Sequence, residues 1–106
     1  MTPLAQQTYQ LLKRVPKGRV TTYKALADGL GTKAYRAIGQ FMRTNPHAPL
    51  VPCHRVVASD GSIGGFMGKT AGREIQKKIR LLRAEGIIIS NNKIADFSHI
   101  FYEPKF

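Results

Sequence analysis

The sequence predicts a single, mainly α-helical domain with short β-hairpins. Apolar residues recur at helical spacing in several stretches that begin with a capping threonine or end at a proline or glycine. Two short β-branched runs are each followed by a turn rich in Ser, Asn, Asp or Gly, which is typical of hairpins. A chain of 106 residues can bury one core without disulfides or metal ions, so residues 1–106 are expected to form one domain.

The first predicted helix has a packing role. Thr2 can cap its start, Pro3 suits its first position, and Pro16 is expected to end it. One of its faces is mostly apolar and would pack inward; it consists of Leu4, Thr8, Leu11, Leu12 and Val15.

Two shorter helices are predicted next. Thr22 can cap the first, which should end near Gly29 to Gly31, and Thr32 is expected to cap the second. The second helix contains Ala34, Arg36, Ala37, Ile38, Phe41 and Met42. Two short helices joined by a turn with glycine are typical of a helix-turn-helix, whose second helix enters a DNA groove. Any small three-helix core has the same pattern, and the net charge favours the DNA-binding alternative.

After the third helix the chain is predicted to form a loop and two hairpins. The loop at residues 44–52 contains three prolines and is therefore stiff. Residues 56–64 are predicted to form a hairpin around an Asp60-Gly61 turn, which would be the wing of a winged helix-turn-helix. A second hairpin is predicted at residues 87–95, with its turn at residues 90–93.

A last helix is predicted between these hairpins. It should begin at Thr70 or Ala71 and end at Gly86. Its inward side chains would be Ile75, Ile79 and Leu82, and its outward basic side chains Arg73, Lys77, Lys78, Arg80 and Arg83. Residues 97–106 form a C-terminal tail, which is apolar enough that we expect it to pack against the domain.

The formal charge of +11 indicates a polyanionic partner. Ribosomal proteins and membrane-surface binders share such a charge, so it defines a class of partner only. A single cysteine excludes an internal disulfide, and Cys and His residues at zinc-ligand spacing are absent from the sequence. The sequence predicts neither a signal peptide nor a membrane-spanning stretch. We expect a cytoplasmic protein, nucleoid-associated or nuclear if eukaryotic, without metal, cofactor or membrane contact.

The cysteine lies in the motif Pro52-Cys53-His54-Arg55-Val56. A thiol becomes a nucleophile when a histidine or positive charge stabilises its thiolate. His54 and the neighbouring basic residues are therefore expected to lower the pKa of Cys53 below its ordinary value of about 8.5. The simpler alternative is that a lone cysteine is a small buried apolar residue.

Several motifs in order along the chain resemble one family. They are Gly18-Arg19-Val20-Thr21-Thr22-Tyr23, Tyr35-Arg36-Ala37-Ile38-Gly39, Asn45-Pro46, Pro52-Cys53-His54-Arg55-Val56, Gly64-Gly65-Phe66 and Leu81-Leu82-Arg83-Ala84-Glu85-Gly86. From about Gly18 to Gly86 the sequence is similar to the O6-alkylguanine-DNA alkyltransferases, the methylated-DNA–protein-cysteine methyltransferases. The resemblance implies DNA repair by a monomer that acts once. An alkyl group, usually methyl, would pass irreversibly from O6-alkylguanine in double-stranded DNA to the cysteine after the nucleotide has flipped out.

The resemblance also implies roles for individual residues. Cys53 would accept the alkyl group, His54 would act as base through a water, and Glu85 would orient that histidine. Tyr23 would donate a hydrogen bond to the base, and Asn45 would be the hinge between the DNA-binding helix and the cysteine. From the residues alone, Glu85 could equally be a charge at a helix end, and Asn45 a turn residue before proline.

For DNA contact the resemblance implies that Arg36 fills the gap left by the flipped nucleotide. The other predicted DNA-binding residues are Thr22, Tyr23, Lys33, Ala34, Tyr35 and Arg55, and the predicted substrate pocket consists of Val56, Phe66 and Met67.

The sequence departs from the family in three ways. Members usually carry a further N-terminal domain, whereas about twenty residues precede Tyr23 here. The chain is therefore expected to be the DNA-binding and active-site domain alone, as a minimal protein or part of a fusion. Phe66 replaces a frequent tyrosine, and the segment from Phe66 to Glu85 is longer than usual.

Two alternatives to alkyl transfer are a non-catalytic alkyltransferase-like protein, which flags the lesion for other repair proteins, and a basic helix-turn-helix regulator. The relatives of the first kind usually lack the cysteine, and the second kind needs none.

Overall fold

The computed structural model describes residues 3–48, 50–66 and 71–105. These residues form a mainly helical domain with short strands, which confirms the predicted fold class. The helices are α1 (Pro3–Leu12), α2 (Tyr23–Leu30), α3 (Tyr35–Arg43), α4 (Arg73–Ala84) and α5 (Phe97–Ile100). The strands are β1 (Thr21–Thr22), β2 (Val56–Val57), β3 (Ile89–Ser90) and β4 (Lys93–Ile94), and a 3₁₀ turn spans Cys53–Arg55.

Helix α1 packs in part as its sequence predicts: Thr8, Leu11 and Leu12 are buried, Leu4 is only half-buried, and the helix ends at Leu12, before Pro16. Its buried residues are Ala5, Thr8, Tyr9, Leu11 and Leu12. The Tyr9 hydroxyl donates to the Phe41 carbonyl at 2.8 Å, which joins α1 to the end of α3. Beyond Leu12 the chain continues in a tighter turn to Val15, which is also buried. The predicted cap, Thr2, lies outside the described residues.

Helix α2 begins and ends at the predicted residues. Thr22 Oγ1 accepts the Ala25 amide at 3.0 Å, which caps the first turn. Gly31 ends the helix with a φ of 69°, a left-handed conformation that costs glycine nothing.

The predicted cap of α3 is wrong. Helix α3 begins at Tyr35, and its N-cap is Ala34, whose side chain has no oxygen to cap with. The Thr32 amide donates to the Ala27 carbonyl at 3.0 Å, so Thr32 belongs to the exit from α2. Its hydroxyl instead accepts the Ala34 amide at 3.2 Å and shapes the turn between the two helices.

Strands β1 and β2 join the helical layer to the cysteine segment. They are parallel, with Thr21 opposite Val56 and Thr22 opposite Val57. On the other side of β1, the Val20 amide donates to the Ile100 carbonyl at 3.0 Å, and the Tyr102 amide donates to the Val20 carbonyl at 2.8 Å. The tail therefore packs against the domain, as predicted, and part of it forms the short helix α5.

The predicted hairpin at residues 56–64 is wrong. The turn exists, because the Ala58 amide donates to the Ser62 carbonyl at 3.0 Å. The two arms then diverge: β2 pairs with β1, whereas residues 61–63 pair with residues 92–94. The second predicted hairpin is confirmed, since β3 and β4 are antiparallel and are joined at Asn91 and Asn92, both with positive φ.

Lys78 contacts both of those arms, and it corrects a second prediction. Helix α4 begins at Arg73, and Lys78 faces inward with no exposed surface. Its Nζ atom donates to the carbonyls of Val56, Ile63 and Gly65 at 2.8, 2.6 and 2.9 Å. The three donors of one ammonium thus bind both arms of the expected hairpin.

Lys78→Met should lower the free energy of unfolding by on the order of 2 kcal/mol, because three buried carbonyls lose their donor. Burial lowers the pKa of Lys78 from 10.5 to about 7. The unfolded chain keeps that proton to higher pH, so Lys78 adds stability as the pH rises from about 7 towards 10.5.

Urea unfolding followed by circular dichroism at several pH values measures both effects. The difference between wild type and Lys78→Met should widen with rising pH, and the exposed neighbour variant Lys77→Met should match wild type. A difference that stays constant with pH would contradict the lowered pKa of Lys78.

Candidate active site

Cys53 is held rigidly at the start of the 3₁₀ turn that precedes β2. Its amide donates to the Val51 carbonyl at 2.8 Å, and the Arg55 amide donates to the Pro52 carbonyl at 2.9 Å. Only 5% of Cys53 is exposed. The thiol is therefore almost fully buried, and it lines the cavity beside it.

That cavity has a volume of about 280 Å³. Its walls are mostly apolar, with a few polar groups near the sulfur. The lining residues are Asn45, Pro46, Ala48, Cys53, His54, Phe66, Lys77 and Leu81. A mostly apolar cavity with convergent polar groups and a nucleophile is the kind of site that binds a small group for reaction.

Asn45 closes the loop at residues 45–51 and contacts the thiol. Its Nδ2 donates to the Val51 carbonyl at 2.8 Å, and its Oδ1 accepts the His47 amide at 2.9 Å. A hydrogen bond from the same side chain favours the Cys53 thiolate. The residue that the sequence predicts as a hinge thus connects the loop after α3 to the nucleophile.

Glu85, at the C-terminal cap of α4, contacts His54 and Arg55 together. Its Oε2 lies 3.0 Å from His54 Nε2 and 2.6 Å from an Arg55 terminal nitrogen, and its Oε1 accepts from Arg55 Nε at 2.9 Å. Burial alone would raise the pKa of Glu85, but the hydrogen bonds from Arg55 and His54 outweigh it and lower that pKa. The carboxylate is therefore ionised at neutral pH.

The imidazole of His54 is neutral. Burial lowers the pKa of His54 more strongly than the Glu85 hydrogen bond raises it. A neutral imidazole can donate to the ionised Glu85 only if its proton is on Nε2. Nδ1 is then unprotonated and can accept a proton.

The prediction of a low thiol pKa is wrong for the free protein. Burial raises the pKa of Cys53, although Asn45, Lys78 and Lys77 each act to lower it. An apolar pocket disfavours the charged form, and the neutral His54 supplies no positive charge to the thiolate. The resting residue is a protonated thiol.

Tyr23, the first residue of α2, belongs to the same site. It is half-buried, and its pKa is raised by burial and then by the charge of the Cys53 thiolate. The phenol therefore keeps its proton and acts as a hydrogen-bond donor.

Two predicted DNA contacts face inward instead. The Arg55 guanidinium forms an ion pair with Glu85, and its Nη1 donates to the Val15 carbonyl at 2.9 Å. Thr22 is buried and its hydroxyl caps α2. In both cases the intramolecular hydrogen bonds use the groups that would have contacted DNA.

Most of the residues predicted to contact DNA at the start of α3 are exposed. Lys33, Tyr35 and Arg36 are all exposed, whereas Ala34 is half-buried as the N-cap. A β-carbon built on Gly39, one turn further along, would meet no heavy atom within 4 Å. The first turns of α3 therefore present cations and an open surface.

The structure describes two of the three residues predicted to line the substrate pocket. Phe66 lines the cavity, and Val56 is buried with its carbonyl bound to Lys78. Met67 lies outside the described residues.

Lys78 is among the residues predicted to face outward, although the sequence contains a signal for its burial. Ile75, Lys78, Ile79 and Leu82 are the buried residues of α4, and their positions have the spacing of an inward face. A lysine in that series is expected to be buried and bound.

The described residues contain no group of three or more His, Cys, Asp or Glu that could hold a metal ion. Nor is any helix in this part of the chain long and apolar enough to cross a membrane.

The thiol of the folded protein should react with iodoacetamide only at higher pH than the unfolded chain, because burial raises its pKa. The measurement is the alkylation rate against pH, with and without urea; the single cysteine makes the label unambiguous. If the midpoint of the alkylation rate lies at lower pH for the folded protein than for the unfolded chain, the pKa of Cys53 is lowered by folding and the thiolate is activated.

Comparison with known proteins identifies the family. The family model described as 6-O-methylguanine DNA methyltransferase, DNA binding domain, matches residues 3–87. A bifunctional methyltransferase/endonuclease of Picrophilus torridus is 45% identical over 87 residues, which are 81% of this chain and 28% of that protein. A methylated-DNA–protein-cysteine methyltransferase of Candida glabrata is 40% identical over 95 residues, 89% of this chain and 44% of that protein.

Two solved structures have the same fold. The O6-methylguanine-DNA methyltransferase of Pyrococcus kodakaraensis superposes with a TM-score of 0.69 at 44% identity, covering 81% of this chain and 47% of that one. Atl1 of S. pombe, in complex with damaged DNA containing O6-carboxymethylguanine, superposes with a TM-score of 0.79 at 25% identity, covering 98% of both chains. This chain spans less than half of the methyltransferases named here. By its motifs, its site and these matches, the chain belongs to the 6-O-methylguanine DNA methyltransferase family and contains the family's DNA-binding domain.

Proposed function

We propose that this chain repairs alkylated DNA by moving the alkyl group from O6 of guanine to the sulfur of Cys53, irreversibly and once per molecule. The observation that carries the proposal is the arrangement around Cys53. A buried thiol lines a small cavity beside a neutral histidine, and an ionised glutamate fixes that histidine's proton on the far nitrogen.

The chemistry is a direct displacement. The thiolate attacks the alkyl carbon, a carbon–sulfur bond forms, and the carbon–O6 bond breaks as guanine leaves. His54 Nδ1 is the free acceptor for the thiol proton, directly or through a water, and Glu85 then stabilises the imidazolium. Tyr23 keeps its proton and can donate to the leaving base. The product is a thioether, a poor leaving group, so the protein acts once.

The raised thiol pKa fits this sequence of events. A protonated cysteine does not react with unintended electrophiles, so deprotonation is needed only when a substrate fills the cavity. Binding of a flat base would exclude water and bring the alkyl carbon to the sulfur. Reactivity would then depend on the complex with DNA.

Contact with DNA would come from α3. The O6 atom of a stacked guanine is inaccessible to a buried thiol, so the nucleotide has to leave the duplex. Arg36, exposed in the first turn of α3, is the side chain we assign to the vacated space. The net charge of +11 supplies the attraction to the phosphate backbone that is independent of sequence.

A second candidate function is lesion binding without transfer. The observation in its favour is that Atl1, in complex with damaged DNA, matches this chain over 98% of both lengths. The presence of Cys53 with its histidine and glutamate favours transfer.

Mixing the protein with duplex DNA that contains O6-methylguanine should convert it completely, because Cys53 is the only acceptor. Intact-protein mass spectrometry should show one methyl in place of one hydrogen, located on the Cys53 peptide. Cys53→Ser is the control and should gain nothing. If the wild type binds the lesion while its mass stays constant, lesion binding without transfer is the function.

Arg36→Ala should slow transfer from duplex DNA by about tenfold or more, because unstacking a base costs on the order of a few kcal/mol that the side chain offsets. Transfer from free O6-benzylguanine, which needs no flipping, should remain nearly constant.

Arg43→Ala is the matched control, because Arg43 is an exposed cation in the last turn of α3. Single-turnover rates and the salt dependence of binding measure both variants. Equal losses for duplex and free base in Arg36→Ala would show that Arg36 shapes the pocket. A reduced salt slope with an unchanged rate would make it a phosphate contact.

A further inference from the structure

The cavity beside Cys53 has an unusual charge distribution. Four of its lining residues are apolar: Pro46, Ala48, Phe66 and Leu81. Among the described residues that line it, one is permanently charged, Lys77, and none is acidic. Glu85 lies behind His54 and is already bound to two partners. Among the described lining residues, a group that entered this cavity would therefore meet one positive charge and no negative one.

Lys77 is placed to use that charge. It lies one helical turn before Leu81 on α4, so the two side chains border the cavity from the same face. The described residues include no ion-pair partner for Lys77 within 4.0 Å. Its charge also acts on the sulfur, since it is one of the groups that favour the Cys53 thiolate.

The neighbouring lysine cannot take this role. The Lys78 ammonium is fully buried, and its three donors are used by the carbonyls of Val56, Ile63 and Gly65. Lys77 is exposed, and its ammonium has no ion-pair partner in the part of the chain that the structure describes.

We propose that Lys77 is a specificity-determining residue that favours O6-alkyl groups ending in a carboxylate. The inference rests on the proposed transfer to Cys53 and names a substrate class for it. The alkyl chain would lie against the apolar wall, with its carbon at the sulfur and its carboxylate at the Lys77 ammonium. O6-carboxymethylguanine is the smallest substrate of this class.

The reaction balances in the same way as methyl transfer. The bond between sulfur and the methylene carbon forms, the bond from that carbon to O6 breaks, and the thiol proton ends on guanine. The carboxylate remains on the transferred group. The product at Cys53 is a carboxymethyl thioether that stays beside Lys77.

The expected change in substrate preference is small, because the Lys77 side chain is exposed to water. An ion pair with a lysine that remains partly in water is weak, so Lys77 should change the preference by about two- to fivefold. Added salt should reduce the preference, because it screens an exposed pair.

The test measures single-turnover transfer from two duplexes that differ only in the lesion, O6-methylguanine or O6-carboxymethylguanine. The readout is the ratio of the carboxymethyl rate to the methyl rate, in which general DNA affinity cancels. Lys77→Met should lower this ratio about threefold, and Lys77→Glu should lower it further. Arg80→Met is the matched control, an exposed cation on α4 outside the cavity lining, and should keep the wild-type ratio.

Complete methyl transfer by the Lys77 variants, even at a slower rate, shows that they are folded and active, and the ratio removes any change in rate that is common to both substrates. An unchanged ratio in those variants overturns the inference and leaves the proposed function intact. If wild type alkylates Cys53 with neither substrate, the proposed function fails. In that case the readout is the ratio of the dissociation constants for the two lesion duplexes, measured for wild type and for Lys77→Met. The same ratio in both proteins overturns the inference.

Discussion

The carboxylate of Glu85 holds together the parts of the molecule on which the site depends. It binds His54 and Arg55, and Arg55 reaches on to the Val15 carbonyl after α1. The end of α4, the cysteine turn and the first helix are thereby joined through one buried anion. Because such an anion is costly to bury without partners, losing either partner would disturb both the packing and the orientation of the histidine.

Lys78 makes a second connection from the same helix. It lies seven positions before Glu85, two turns along α4, and binds the carbonyls of Val56, Ile63 and Gly65. A cation and an anion on one helix thus fix the short segment from His54 to Val56 at both ends. The segment has little secondary structure of its own, so side-chain hydrogen bonds give it the rigidity that a nucleophile requires.

These contacts also set the protonation states. Glu85 is ionised because its two donors outweigh the cost of burial, and His54 is neutral because burial outweighs its single partner. The thiol stays protonated in its apolar cavity. The resting site is thus an acid beside an unprotonated base, and under the proposed function DNA bound at α3 would bring the alkyl carbon to the sulfur.

The sequence by itself determined the local features. Thr22 and Gly31 bound α2 because capping depends on adjacent backbone groups, and the Asn91–Asn92 turn depends on two residues that tolerate positive φ. The family resemblance of the motifs that contain Cys53 and Glu85 predicted the contact between His54 and Glu85 that the structure shows. Only the tertiary structure decided which groups Lys78 and Arg55 bind and in which direction the pKa of Cys53 shifts. It also decided that the two arms of the predicted hairpin at residues 56–64 pair with different strands. Those depend on which distant groups are buried together, because burial and long-range hydrogen bonds are properties of the packed chain.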